Sequence, residues 1–329
     1  MSTFFSTVPG ALILLVVGFV FLIKGADFFV EGASAVANKL HVPALVIGMT
    51  IVAMGTSLPE LSVSVTASMA GSNQLAIGNV VGSNIFNLMV VLGCCALFSV
   101  LEVADDTIKK DFPFSVACAI ALMVMGLIGN TVGHLDGFIL LAVFIVFLLS
   151  MLKAAKKSRK DAASIAEEDV EKEIVDIPTW LCIIYIVGGA VAIKFGGDWV
   201  VDSCTTLALK FGMSETLVGL TIVALGTSLP ELVTSIVAAR KNELDMAIGN
   251  VVGSNVFNIL LILGTAAAIS PMTYLTVNAI DTMILVAFSV IVWVMCLKKK
   301  SLGRMHGVIM LALYFGYLAY IIIRDGGIA

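Results

Sequence analysis

GMTIVAMGTSLPE at residues 48–60 returns as GLTIVALGTSLPE at residues 219–231, 171 positions later, with Met49 and Met54 replaced by Leu220 and Leu225. Both copies lie in long apolar stretches, so a carboxylate, a proline and two hydroxyls have been placed twice where water is scarce. The same shift, without a gap, carries AIGNVVGSNIFN (76–87) onto AIGNVVGSNVFN (247–258) and pairs Gly25 and Asp27 with Gly196 and Asp198. A register held over this much sequence marks two copies of one structural unit.

The surroundings of the repeat fix the class. Of the 329 residues 60% are hydrophobic and 13% charged, and the mean hydropathy is +1.08. Soluble domains carry about a quarter charged residues, so the chain is read as an all-α polytopic membrane protein. A span needs about 20 mostly apolar residues, and ten transmembrane helices are predicted. The first five run over 9–37, 43–70, 75–99, 112–130 and 135–152; the second five run over 179–208, 214–239, 246–270, 278–297 and 306–324. The organisation is then a first five-helix repeat (1–152), a polar linker (153–178) and a second five-helix repeat (179–329). The opening MSTFFSTVPG has no Lys, Arg or small-residue cleavage site, so the first apolar segment is expected to be retained.

Basic residues collect on the cytoplasmic side of a membrane protein. One set of alternate connections holds 15 of them, six between 153 and 172; the other side holds only Lys210 and Arg324, and Lys24 and Lys194 fall within spans. Both termini are therefore expected outside the bacterial inner (plasma) membrane, with the linker in the cytoplasm. Consecutive units of five spans, an odd number, enter the membrane from opposite sides. Two inverted five-helix repeats form the architecture of secondary transporters, whose sites lie near the bilayer midplane between the halves.

A carboxylate near the middle of a span costs about 2.5–3.5 kcal/mol on insertion scales, so Glu60 and Glu231 require a partner, a wet cavity or a bound cation. In a continuous helix Thr56, Ser57 and Glu60 share a face, and Pro59 frees the backbone carbonyl of Gly55. Ser83 and Asn87, at i and i+4, add two oxygens. Thr227, Ser228, Glu231, Ser254 and Asn258 repeat the set. All are hard oxygen donors without Cys or His, suited to Ca²⁺ or Na⁺ and not to zinc or copper. The bland alternative is two protonated structural glutamates among hydroxyls bonded to backbone; duplication on opposed helices weighs against it.

Other features receive plainer readings. Gly78/Gly82 and Gly249/Gly253 have the spacing of close helix packing. Asp27/Glu31 and Asp198/Asp202 are read as interfacial capping or helix-to-helix hydrogen-bonding pairs in preference to the alternative of a role along the ion path, and EEDVEKE as a solvated loop. The six cysteines are read as free thiols, and His41, His134 and His306 as loop residues.

At the two GTSLPE segments and their partners GNVVGSNIFN and GNVVGSNVFN the chain closely resembles the calcium/cation antiporter superfamily, in its prokaryotic sodium/calcium exchanger branch. The resemblance covers nearly the whole chain. It implies an ion site between the second, third, seventh and eighth helices, with side-chain ligands from Thr56, Ser57, Glu60, Ser83, Thr227, Ser228, Glu231 and Ser254. It also implies backbone carbonyl ligands at Ala53 and Ala224, further site positions at Asn87 and Asn258, and a moving gate made of the first and sixth spans. Some members, potassium-dependent ones among them, carry aspartate where this chain has Asn258, which leaves potassium coupling and stoichiometry open. Proton-coupled members usually have a different acidic motif.

The expected function is alternating-access exchange of Ca²⁺ for Na⁺, with Ca²⁺/H⁺ exchange or a cation channel as alternatives. No nucleophile–base pair, Walker motif or cofactor fingerprint points to an enzyme. No cofactor, nucleotide, nucleic acid or obligatory protein partner is expected, only the two ions and the lipid bilayer.

Overall fold

The computed structural model describes residues 7–165, 177–212 and 224–324. The start of the predicted seventh span (214–223) and the acidic end of the linker lie outside the described residues. The described chain is mostly helical: α1 (Val8–Leu40), α2 (Ala44–Thr56), α3 (Leu58–Met69), α4 (Gln74–Phe98), α5 (Thr107–Leu127), α6 (His134–Lys160), α7 (Thr179–Lys210), the short α8 (Ala224–Gly226), α9 (Leu229–Arg240), α10 (Leu244–Ile269), α11 (Thr276–Lys299) and α12 (Arg304–Arg324). Among these residues eight helices are long and apolar enough to cross a membrane, and α2 with α3 forms a ninth, bent by 50°.

The bend corrects the prediction of one continuous helix over 43–70. Pro59 and Pro230 stand second in α3 and α9, where a missing N–H costs nothing. The residue two before each, Ser57 (φ −84°, ψ 9°) and Ser228 (φ −93°, ψ 5°), leaves helical geometry. Thr56, Ser57 and Glu60 thus straddle a break instead of lining one helix face. Boundaries also shift: α5 starts five residues before its predicted position, and helix continues from α6 to Ile165.

The central helices are α4 and α10, both largely buried. Around them equivalent elements exchange partners. The C-terminal turns of α4 (Leu92–Phe98) pack on α12, and those of α10 (Gly264–Ile269) on α6. Helix α5 packs on α11. Two short antiparallel pairings, β1 (Leu101–Glu102) with β4 (Ser301–Leu302) and β2 (Thr131–Val132) with β3 (Met272–Thr273), join loops of different halves. Large apolar side chains such as Val16, Val20, Ile145, Val146 and Phe315 stay exposed on the outer helices, as lipid-facing positions do.

Helices α1 and α7 lie antiparallel along a seam of small residues. A Cβ on Gly18 would sit 3.0 Å from the Gly196 carbonyl oxygen, one on Gly189 2.8 Å from that of Gly25, and one on Gly32 2.9 Å from that of Cys182. Backbones this close need glycine. The expected close packing at Gly249 and Gly253 is present: a Cβ on Gly253 would meet Met49 Cα of α2 at 2.7 Å. For Gly78 and Gly82 the corresponding partner residues, 216–220, lie outside the described residues.

Candidate functional site

The two breaks face each other in the middle of the bundle, against α4 and α10. Because each broken strand of chain ends beside the other half, its hydroxyls serve the opposite glutamate. Ser57 Oγ donates to Glu231 Oε1 (2.9 Å) and Ser228 Oγ donates to Glu60 Oε1 (3.0 Å). Ser83 Oγ of α4 also reaches Glu60 Oε1, at 3.4 Å. Both glutamates are 0% exposed.

The threonines of the motif are held similarly. Thr56 Oγ1 lies 3.1 Å from Asn250 Oδ1, and also within reach of the Val52 and Ala53 carbonyls (3.2 and 3.3 Å). Thr227 Oγ1 lies 3.4 Å from Asn79 Oδ1. Asn79 and Asn250 in turn donate to Ser64 Oγ (3.0 Å) and Ser235 Oγ (2.9 Å). The Ala53 carbonyl accepts from the Ser57 amide at 3.0 Å as well as lying within reach of Thr56 Oγ1, whereas the Ser228 amide bonds to Leu225 O at 3.3 Å. Of Ala224 only the backbone is described.

Asn87 and Asn258 begin π-helical turns, Asn87–Val91 and Asn258–Leu263, the kind of local unwinding found at functional sites. Their amide nitrogens are bonded across the halves, Asn87 Nδ2 to Asn255 Oδ1 (3.2 Å) and Asn258 Nδ2 to Asn84 Oδ1 (2.9 Å). What remains is a set of acceptors. Glu60 Oε2, Glu231 Oε2, Asn87 Oδ1, Asn258 Oδ1 and Ser254 Oγ are buried and without a hydrogen-bond partner among the described residues.

The structure therefore sets Ser57, Ser83 and Ser228 on Glu231 and Glu60, Thr56 and Thr227 on Asn250 and Asn79, and Asn87 and Asn258 in a separate cross-half set with Asn255 and Asn84, while Ser254 stands in α10 where Ser83 stands in α4. Asn79, Asn84, Asn250 and Asn255, which the sequence reading passed over, are the partners of these side chains. The available signal was their duplication at the same 171-residue shift; Asn79 also stands one turn before Ser83.

Access differs between the two ends of the α1–α7 pair. On one side a cavity of about 410 Å³ opens between α7 and the broken helices, lined by Asp198, Asp202, Ser62, Thr227 and Pro230. On the other, Lys241 Nζ is paired with Asp27 Oδ1 (3.3 Å) and Glu31 Oε2 (3.4 Å) of α1, and Ser34 Oγ donates to Glu243. The helix-to-helix reading of Asp27 and Glu31 holds. Their equivalents Asp198 and Asp202 line the cavity, with Asp198 paired to Lys194 of its own helix, and the residues in the places of Lys241 and Glu243 are Ala70 and Ser72.

A polytopic helical bundle closed around buried oxygen acceptors is a membrane transport protein. The chain belongs to the sodium/calcium exchanger protein family, whose pattern matches residues 10–153 and 181–323. Sodium/calcium exchanger MaX1 of Methanosarcina acetivorans is 30% identical over 93% of this chain and 97% of its own length. Inner membrane protein YrbG of Escherichia coli is 33% identical over 93% of this chain and 95% of its own length. A solved structure of the sodium-calcium exchanger NCX_Mj matches with a TM-score of 0.82 at 30% identity, covering 95% of this chain and 99% of that one. The family and fold are those of transporters, not of enzymes.

Proposed function

We propose that the chain exchanges Ca²⁺ for Na⁺ by alternating access, with the two ions as substrates and no resident cofactor or nucleotide. The observation that carries this reading is the group of buried oxygens on Glu60, Glu231, Asn87, Asn258 and Ser254 that have no hydrogen-bond partner among the described residues. Leaving one such group bare costs about 1–3 kcal/mol, and a hard cation satisfies all of them together. Glu60 and Glu231 match the charge of one Ca²⁺, or hold Na⁺ in its place. Thr56, Ser57, Ser83, Asn87, Thr227, Ser228, Ser254 and Asn258, with the carbonyls of Ala53 and Ala224, replace the ion's hydration shell. The 0% exposure of both glutamates favours an occluding carrier over an open channel.

The decisive experiment is ⁴⁵Ca²⁺ uptake into proteoliposomes, driven first by a sodium gradient alone and then by a pH gradient alone. Sodium-driven uptake is expected. Uptake under the pH gradient only would make the protein a Ca²⁺/H⁺ exchanger, and flux without any counter-ion would make it a channel.

The same reading takes the chain as ten spans in two inverted repeats, 1–152 and 179–329, joined by the linker 153–178. The antiparallel seam between α1 and α7 and the exchanged packing partners of α4 and α10 support it. The basic-residue bias supports placing both termini outside the inner membrane. In a cysteine-free background, single cysteines should react with an impermeant reagent from outside at position 72 and only from the cytoplasm at position 165. Outside labelling at 165 reverses the orientation.

In this orientation the Lys241 ion pairs close the cytoplasmic end and the cavity opens outward. Partly exposed pairs are worth about 0.2–1 kcal/mol each, so Lys241→Ala, which removes both, should shift the outward–inward equilibrium about two- to thirtyfold toward the inward form. A cysteine at position 62, on the cavity wall, should then label more slowly from outside, by up to that factor. An unchanged rate means the pairs do not set the equilibrium.

A further inference from the structure

We infer that Asn84 and Asn255 are positioning residues that fix which end of the Asn258 and Asn87 carboxamides faces the transported ion. The inference rests on Asn87 and Asn258 being ligands, as proposed above. A carboxamide has two ends of nearly equal size and opposite polarity, an acceptor oxygen and a donor NH₂. Turned by 180°, it aims two N–H dipoles at the cation. Some contact must therefore distinguish the ends.

The four side chains, all at most 1% exposed, form a closed pattern whose polarity starts in the backbone. Asn84 Nδ2 donates to the carbonyl oxygen of Asn255, and Asn255 Nδ2 donates to that of Asn84, both at 3.2 Å. A backbone carbonyl only accepts, so each of these NH₂ groups is committed to it. Oδ1 of Asn84 then points to Asn258 and Oδ1 of Asn255 to Asn87. Those oxygens accept only, so the NH₂ groups of Asn258 and Asn87 must turn toward them. The remaining oxygens, Asn258 Oδ1 and Asn87 Oδ1, are the bare acceptors. Orientation is passed from main chain to Asn84 and Asn255, and from them to the ligands, always across the two halves.

The crosswise wiring supplies a readout that a merely structural role does not. Asn255 serves Asn87, on the other half, and not Asn258, its neighbour on the same helix. The test is sodium-driven ⁴⁵Ca²⁺ uptake by the full-length protein in liposomes, with KM and kcat determined for Asn87→Ala, Asn255→Ala, Asn258→Ala and the two double variants that contain Asn255→Ala. Each single change should raise KM about tenfold, the size of one hydrogen bond to a charged centre. Asn87→Ala with Asn255→Ala should be no worse than Asn87→Ala alone. Asn258→Ala with Asn255→Ala should multiply to about 100-fold.

Independent, multiplying effects of Asn87→Ala and Asn255→Ala overturn the inference. An unchanged KM in Asn87→Ala instead removes Asn87 from the ligand set, so the two failures are told apart. Should the Asn255 variants not fold, Asn84→Ala combined with Asn258→Ala and with Asn87→Ala gives the mirror-image cycle, with the non-additive pair now Asn84 and Asn258.

Discussion

Glu60→Gln and Glu231→Gln are each expected to lower Ca²⁺ exchange by at least about 100-fold at matched amounts of protein. Glutamine keeps the shape of the side chain and can still accept from Ser228 or Ser57 through its oxygen. It removes a full negative charge from a site where both carboxylates are buried, and it replaces Oε2, one of the bare oxygens, with an NH₂ donor. Removing one partner of a buried charge pair costs about 3–5 kcal/mol, which corresponds to about 150- to 5,000-fold in affinity. Sodium-driven ⁴⁵Ca²⁺ uptake measures the loss, and an unchanged elution profile in detergent shows that the variant is folded. Normal uptake by both variants would remove the glutamates from the ion path.

The two halves of the site make the comparison between these variants informative. Glu60 Oε1 accepts from Ser228 and also lies within reach of Ser83, while Glu231 Oε1 accepts from Ser57. Each donor from a GTSLPE segment lies in the opposite half. A local helix-face argument could not have found this arrangement. Sequence spacing placed Thr56, Ser57 and Glu60 on one face of a continuous helix; the proline-induced break at Ser57 instead turns their side chains toward the other half. The residues at the two breaks were legible because they were duplicated, although the structure bends the chain where the sequence suggested a continuous helix.

The same distinction runs through the fold. Long apolar stretches such as 8–40 and 276–299 announce themselves by length and composition, and the glycines of the α1–α7 seam are visible as residues but not as a seam. Which helices touch is a property of the whole bundle, and so the partner exchange between α4 with α12 and α10 with α6 was not readable. Nor were the two-residue strands, which are too short to show a period. Asn84 and Asn255 illustrate the limit for the site: their hydrogen bonds run to backbone oxygens 171 positions away, and only the repeat's register hints that they matter.

Asn258→Asp should make exchange more sensitive to pH than it is in the parent protein. The change is nearly isosteric, but it replaces the NH₂ that donates to Asn84 Oδ1 at 2.9 Å with a second acceptor. Two bare oxygens at that separation repel. Asn84 cannot turn to supply a donor, because its own NH₂ is held by the Asn255 carbonyl. The contact is restored when the introduced carboxyl carries a proton on the oxygen that faces Asn84, and in that form the side chain imitates asparagine in both shape and charge. At acidic pH the variant should therefore follow the parent. As pH rises and the proton leaves, a third negative charge joins Glu60 and Glu231 in a desolvated site, where like charges interact strongly. Ca²⁺ then no longer balances the site, and an added monovalent ion does, so sensitivity to K⁺ or Na⁺ should grow with pH. A one-proton titration changes the rate by at most about tenfold per pH unit, which sets the steepest slope to look for. The measurement is sodium-driven Ca²⁺ flux across a pH series, with and without K⁺, for both proteins in the same liposomes. Superimposable curves in every condition would mean that residue 258 does not face the transported ions, and the placement of α10 beside them would have to be given up.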